Sequence, residues 1–188
     1  MNFRIGYYDQ LDSTNDLARS LAIQGATEGL VIVTDFQKKG RGQFDRKWVS
    51  PRAKNLLFSI LLRPDMKASE ASILTILAAR AMVEMLKTNY GLPATIKKPN
   101  DVLVGKRKIA GILTESAARA SQMEYVVLGV GLNVNATRSQ LPKIATSMMI
   151  EKRETFDRNT ILNQYLSYFS KYYKEITLKK GLELQTCD

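Results

Sequence analysis

The β-type runs of this chain are separated mostly by turns and not, in regular alternation, by helices, and that spacing limits the fold more than any other feature. Residues 3–8, LVIVT at 30–34 and LLFSILL at 56–62 read as strands. Residues 95–98 read as a short strand, turned by Pro99-Asn100-Asp101, and 102–104 and 108–115 continue with β-type residues around Gly105. EYVVLGVGLNV at 124–134 is a further strand, and its Gly129 and Gly131 mark close approach of a ligand or another backbone. Helical spacing occurs three times. A helix of about ten residues starts at Ser13 as N-cap, with Asp16 in its first turn and Leu17, Ala18 and Leu21 as its stripe, and ends at Gly25. A longer one follows Ser69, with Ile73, Ile76, Leu77, Val83 and Leu86 as core, and stops at Gly91 before Pro93. The last runs from Asp157 as N-cap through Ile161, Tyr165, Phe169, Tyr172, Tyr173 and Ile176, aromatics at a helical period that points to core packing. The expected architecture is a mixed α+β domain of largely antiparallel sheet flanked by helices, with residues 1–188 as one unit.

Composition then narrows the chemistry. The chain has no histidine, which removes Ser-His-Asp and Cys-His catalysis and the usual Cys/His zinc sites. Its one cysteine, Cys187, cannot form an internal disulfide. No apolar run approaches the roughly 20 residues of a membrane span, and the first ten residues lack a signal-peptide plan, so a cytoplasmic protein without a membrane partner is expected. A formal charge of +10 favours an anionic partner: a nucleic acid, a phosphorylated ligand or an acidic protein.

Three segments concentrate glycine with cationic or amide side chains. In residues 37–48, Gly40 and Gly42 let the backbone approach a ligand, and Arg41 and Arg46 supply forks suited to phosphate or carboxylate. Neither the P-loop nor the dinucleotide glycine spacing is present, and a solvated basic turn would look similar. In KKPNDVLVGKRKIAGILTE, Asn100 and Asp101 follow a proline turn, and Lys108 borders an apolar strand where its charge counts for more than in water; the alternative is a solvated hairpin flank. GVGLN ends on Asn133, whose amide can pair with a purine edge or simply cap a turn. Charge and eight tyrosines also allow a nucleic-acid-binding module, but no groove-reading motif accompanies them.

Taken together, the order STN, Q-x-x-GRG with Trp48 beyond, PND, KIAGIL-x-E and GVGLN resembles the catalytic domain of biotin protein ligases over residues 1 to about 176, and IATSM at 144–148 and Asp157-Arg158 are similar to later family segments. The resemblance implies an ATP-dependent ligase that forms biotinyl-5′-AMP, releases pyrophosphate, and transfers biotin to a lysine of a biotin carboxyl carrier protein. It places Ser13, Thr14, Asn15, Gln37, Gly40, Arg41, Lys108, Gly111, Leu113 and Gly129 around biotin. Arg41, Arg46, Trp48, Asn100, Lys108 and Asn133 fall to ATP, with Arg41 and Lys108 as catalytic residues at the junction of carboxylate and α-phosphate. Magnesium would come with the nucleotide, Asp101 being the one candidate protein ligand. The chain departs from the family pattern at Gln43, Asp45 and Lys98, where an arginine, a glycine and an aromatic are common. No N-terminal DNA-binding domain or small C-terminal barrel is read in the sequence, so DNA is not an expected partner; a homodimer stays open. A lipoate or octanoate transferase of related fold, and an adenylate-binding relative with poor transfer, are the competing readings.

Overall fold

The computed structural model describes residues 1–185, with side chains at all of these except 45 and 178–185; Cys187 lies outside the described residues. Seven strands form one sheet in the order β1-β2-β3-β7-β6-β5-β4. They are β1 (Arg4–Tyr8), β2 (Leu30–Thr34), β3 (Leu56–Leu62), β4 (Ala94–Lys97), β5 (Asp101–Val104), β6 (Arg107–Arg119) and β7 (Gln122–Leu132). Only β1 and β2 run parallel, joined by helix α1 (Thr14–Ile23); every other pairing is antiparallel. The mixed, largely antiparallel sheet is the one expected.

Alternation along β7 decides where a site can form. Its even positions, Val126, Leu128 and Val130, join Phe58 and Ile60 of β3 in the large core beneath helices α2 (Ser72–Tyr90) and α4 (Arg158–Gln185). On the other face Tyr125 and Val127 pack with Ala18 and Ala22 of α1. The next two positions on that face are Gly129 and Gly131, so beyond α1 the sheet becomes a bare floor. The α4 aromatics are core: Phe58 meets Tyr165 edge-on at 5.3 Å, and Tyr165, Phe169 and Tyr173 stack in succession at 6.2 and 5.8 Å.

Five local expectations need correction. Ser13 stands at the N-cap of α1 in extended conformation, but its side chain makes no cap bond; Gln37 takes the Thr14 N–H instead. On α2, Ile73 and Ile76 face outward, 39% and 46% exposed. At about 100° per residue they lie opposite Leu74, Ala78, Met82 and Met85, the buried row that two small residues, Ala78 and Ala81, bring close to its neighbours. The helix also starts later than expected, at Ser72, after a 3-10 turn over Ala68–Glu70. Strands β6 and β7 run on past Glu115 into a tight hairpin, where Ala120 takes φ +55° in a turn without glycine. A short helix α3 (Met148–Lys152), absent from the expected elements, is capped by Ser147, whose Oγ accepts from the Ile150 N–H at 3.1 Å.

Candidate active site

The bare glycine floor is enclosed into a cavity of about 460 Å³ by the start of α1 and by the loop between β2 and β3. Strand register sets the floor: Gly111 lies opposite Gly131, and Leu113 opposite Gly129. Each glycine is required by what lies above it. A Cβ on Gly131 would stand 2.5 Å from Trp48 Cε2 and Cζ2, and one on Gly111 3.0 Å from Trp48 Cζ3 and 2.9 Å from Lys108 Nζ. A Cβ on Gly129 would overlap the Asn15 amide.

One wall is a buried polar network. Ser13, Thr14 and Asn15 are each less than 5% exposed. Gln37 Oε1 accepts from the Thr14 N–H at 2.8 Å and from its hydroxyl at 3.1 Å. The Ser59 hydroxyl, fully buried in β3, lies 2.7 Å from Thr14 Oγ1 and 2.5 Å from Asn15 Oδ1. Asn15 Nδ2 donates to Glu115 Oε2 at 2.5 Å and to the Leu113 carbonyl at 3.4 Å. A network with this little conformational freedom presents fixed donors and acceptors to a neutral, polar ligand group.

The loop brings the cations. Gly40 and Trp48 close its base, the Trp48 N–H donating to the Gly40 carbonyl at 3.0 Å, and Arg41 bridges Lys47 as an isolated antiparallel pair. A Cβ on Gly40 would be 2.6 Å from the Trp48 carbonyl, so this glycine serves the loop and does not line the cavity. At the tip Phe44 takes φ +56° and is 84% exposed. Arg41 turns inward: Nη1 and Nη2 donate to Asp16 Oδ2 and Oδ1 at 2.9 and 2.6 Å, and Nη2 also to the Glu115 carboxylate at 3.1 and 3.2 Å. Hydrogen bonding to Asp16 raises the Arg41 guanidinium above its ordinary value, against the opposing effect of burial, and the same bond holds Asp16 below the usual aspartate range.

Lys108 approaches from the opposite side. Its ammonium lies 2.5 Å from Asp101 Oδ1 and 5.2 Å from the centroid of the Trp48 ring. Its backbone is fixed by the IATSM segment, donating to the Ile144 carbonyl at 2.9 Å and accepting from the Thr146 N–H at 2.8 Å. Trp48 Nε1 is buried with no hydrogen-bond partner among the described residues.

Thus Ser13, Thr14, Asn15, Gln37, Arg41, Lys108, Gly111, Leu113 and Gly129 meet at one cavity, and Arg46, Trp48, Asn100, Asp101 and Asn133 line it with them. Two of the amides are partly engaged by the protein. Asn133 donates to the Thr146 carbonyl at 2.9 Å and accepts from Asn55 at 3.1 Å, and Asn100 donates to the Ile112 carbonyl at 2.7 Å. Arg46, Lys97 and Lys98 are exposed on the rim, and Gln43 also lines the cavity; the side chain of Asp45 lies outside the described residues. Asp16, Asn55 and Ser59 hold lining residues in place and were not singled out for the site from the sequence, and Glu115 entered only as the last letter of the KIAGIL-x-E motif. A signal existed for Ser59, a lone hydroxyl in the otherwise apolar LLFSILL. Among the described residues no group of three His, Cys, Asp or Glu side chains is placed to hold a metal ion.

Known proteins resemble this chain in sequence and in fold. Residues 7–133 match the model of the biotin/lipoate A/B protein ligase family. The bifunctional ligase/repressor BirA of Bacillus subtilis is 37% identical over 173 residues, 90% of this chain and 53% of that protein. The biotin–[acetyl-CoA-carboxylase] ligase of Mycobacterium tuberculosis is 32% identical over 162 residues, 84% of this chain and 59% of that one. The chain therefore spans between half and three-fifths of the length of these relatives. Among solved structures, the biotin protein ligase of Aquifex aeolicus in complex with biotin and ATP superposes with a TM-score of 0.78 at 28% identity, covering 94% of this chain and 72% of that one.

Proposed function

The chain belongs to the biotin/lipoate A/B protein ligase family, and on that premise we propose that it is an ATP-dependent biotin protein ligase. The observation that carries the reading is the convergence of Arg41 and Lys108 on a glycine-floored cavity whose other wall is the neutral Ser13–Gln37–Ser59 network. Biotin lies against Ser13, Thr14, Asn15, Gln37, Gly111, Leu113 and Gly129, and ATP against Arg46, Trp48, Asn100 and Asn133. Arg41 and Lys108 stand where the two meet. The biotin carboxylate attacks the α-phosphorus and pyrophosphate leaves; the neutral amine of the acceptor lysine then attacks the carbonyl carbon of the mixed anhydride, AMP leaves, and the amine's extra proton passes to solvent. Both steps gather negative charge, so positioning and fixed cations supply most of the acceleration, and no histidine is needed.

Magnesium would arrive with the phosphates and would offset their charge. Asp101 fits a contributing role only in part, because its carboxylate already pairs with Lys108. The acceptor is a biotin carboxyl carrier domain, supported by relatives named as acetyl-CoA-carboxylase ligases. A cytoplasmic setting accords with the described residues, no helix of which is long and apolar enough to cross a membrane.

The test is incubation with biotin, ATP labelled at the α-phosphate and a biotin-carrier domain, with adenylate and acceptor labelling followed separately. Adenylate and labelled acceptor are both expected. Activation of lipoate or octanoate in place of biotin would favour the other branch of the family; adenylate without transfer would make the chain a binding relative. Lys108→Ala should lose most adenylate formation while staying folded, and Lys106→Ala should be close to silent. A wild-type rate in Lys108→Ala would overturn the catalytic assignment.

A further inference from the structure

Arg41 is the one cation of the site held from two independent elements, and neither carboxylate that holds it belongs to the loop it sits on. Asp16 lies in the first turn of α1, where the helix N-terminus favours a negative charge. Glu115 lies in β6 and is itself fixed by Asn15 Nδ2 at 2.5 Å. Between them they engage both Nη2 hydrogens and one on Nη1, so of the five guanidinium donors two remain among the described residues. Arg41 lines the cavity in that pose. The loop around it has Gly40, Gly42 and a left-handed Phe44 at its tip, and by composition such a segment would sample many conformations. Its remaining fastenings are the Gln37–Thr14 hydrogen bonds, backbone bonds at its base, an exposed Lys39–Asp12 ion pair and the seat of Trp48 on the glycine floor beside Lys108.

We propose that Asp16 and Glu115 are positioning residues that act through Arg41. They fix the guanidinium, and with it the loop and Trp48, in the ligand-binding arrangement before any ligand arrives. In terms of the ligase reading, on which the kinetic part of this proposal rests, they aim the two spare donors of Arg41 at the reacting carboxylate and phosphate. A bidentate pair fixes direction as well as distance, which a lysine or a single bond would not.

The experiment uses the full chain with Asp16→Asn, Asp16→Glu, Glu115→Gln and, as a control, Arg19→Gln, whose exposed guanidinium lies 3.6 Å from Asp16. Trp48 is the only tryptophan, so its fluorescence reports the loop alone. Without ligand, acrylamide quenching of Trp48 and tryptic cleavage within residues 37–48 should rise in Asp16→Asn and Glu115→Gln, and stay at the wild-type level in Asp16→Glu and Arg19→Gln. Unchanged quenching and cleavage in both neutral variants would overturn the proposal whatever the enzyme catalyses. In biotin-dependent pyrophosphate release, Asp16→Asn should lower kcat/KM by about tenfold to a hundredfold. It should have no further effect on an Arg41→Ala background. An equal loss on that background would show that Asp16 acts on the fold and not through Arg41, and the proposal would fall. If the wild type forms no biotinyl adenylate, the ligase reading fails by itself, while the quenching arm still decides whether the two carboxylates hold the loop.

Discussion

Gly131→Ala tests whether the indole of Trp48 needs a floor with no side chain. The added methyl carbon would lie 2.5 Å from Cε2 and Cζ2 and 3.0 Å from Nε1, whereas carbon atoms pack at about 3.5–4.0 Å. Relief therefore needs a lift of roughly 1 Å away from the sheet. Lateral movement of the ring is limited by Lys108, whose ammonium sits 5.2 Å from its centroid. Overpacking of this kind costs about 1–3 kcal/mol. Trp48 is on a loop and only half-buried, so the strain is relieved by displacing the loop, and global stability in urea should fall by less than about 1 kcal/mol. The loss should appear in the site, as ATP binding weakened about 5- to 150-fold by calorimetric titration. Trp48 emission should shift to the red in the free protein. If Gly131→Ala binds ATP like the wild type with unchanged emission, the close stacking of indole on floor is not what the nucleotide uses, and the reasoning fails.

Two further outcomes follow from buried groups. Asn55→Ala leaves the Val134 N–H and Asn133 Oδ1 without partners in a region with almost no solvent access; at about 1–3 kcal/mol for each orphaned group, urea unfolding should show a loss of roughly 2–6 kcal/mol, and a loss under about 1 would refute the network's role. Acid should release the loop in a defined direction. The folded state lowers Asp16 below its ordinary value of 3.8, so its contribution is fully present above that value and is lost as pH falls through the lower one. Trp48 quenching of the free protein should rise in that window, and Asp16→Asn should already show the raised quenching at neutral pH.

Strands with strong apolar runs were legible to the residue: LVIVT and LLFSILL are β2 and β3 as read, because turn residues bound them on both sides. The β6–β7 hairpin was not, since Ala120 adopts a left-handed turn that its residue type disfavours and Ser116 to Ser121 contains no glycine, proline or asparagine to signal it. On α2 the apolar residues are numerous enough to suggest more than one stripe, and only packing against sheet and α4 selects the row of Leu74 and Met82 over Ile73 and Ile76. The site followed the same division. Glycines and cations announced themselves locally, as in GRG, KIAG and GVGLN. Their partners did not: Asp16 and Glu115 reach Arg41 across 25 and 74 residues, and nothing in either neighbourhood marks a carboxylate as belonging to a distant arginine.

Those unseen partners change the electrostatic argument. Read from sequence, Arg41, Arg46 and Lys108 were three free cations waiting to neutralise a polyanion. In the structure Lys108 is paired with Asp101, and Arg41 with Asp16 and Glu115, so the inner ring holds two cations against three carboxylates. Such pairing fixes the direction of each cation and keeps the part-buried carboxylates satisfied, but it leaves little net attraction between the paired groups and an arriving anion. Attraction must come from further out. Arg46, Lys97 and Lys98 on the exposed rim, and the chain's formal +10, provide a field that draws an anionic ligand to the mouth. On the proposed ligase reading, capture and chemistry divide between two sets of cations: rim charges act at long range and are weakened by salt, whereas Arg41 and Lys108 act at contact distance, where orientation decides.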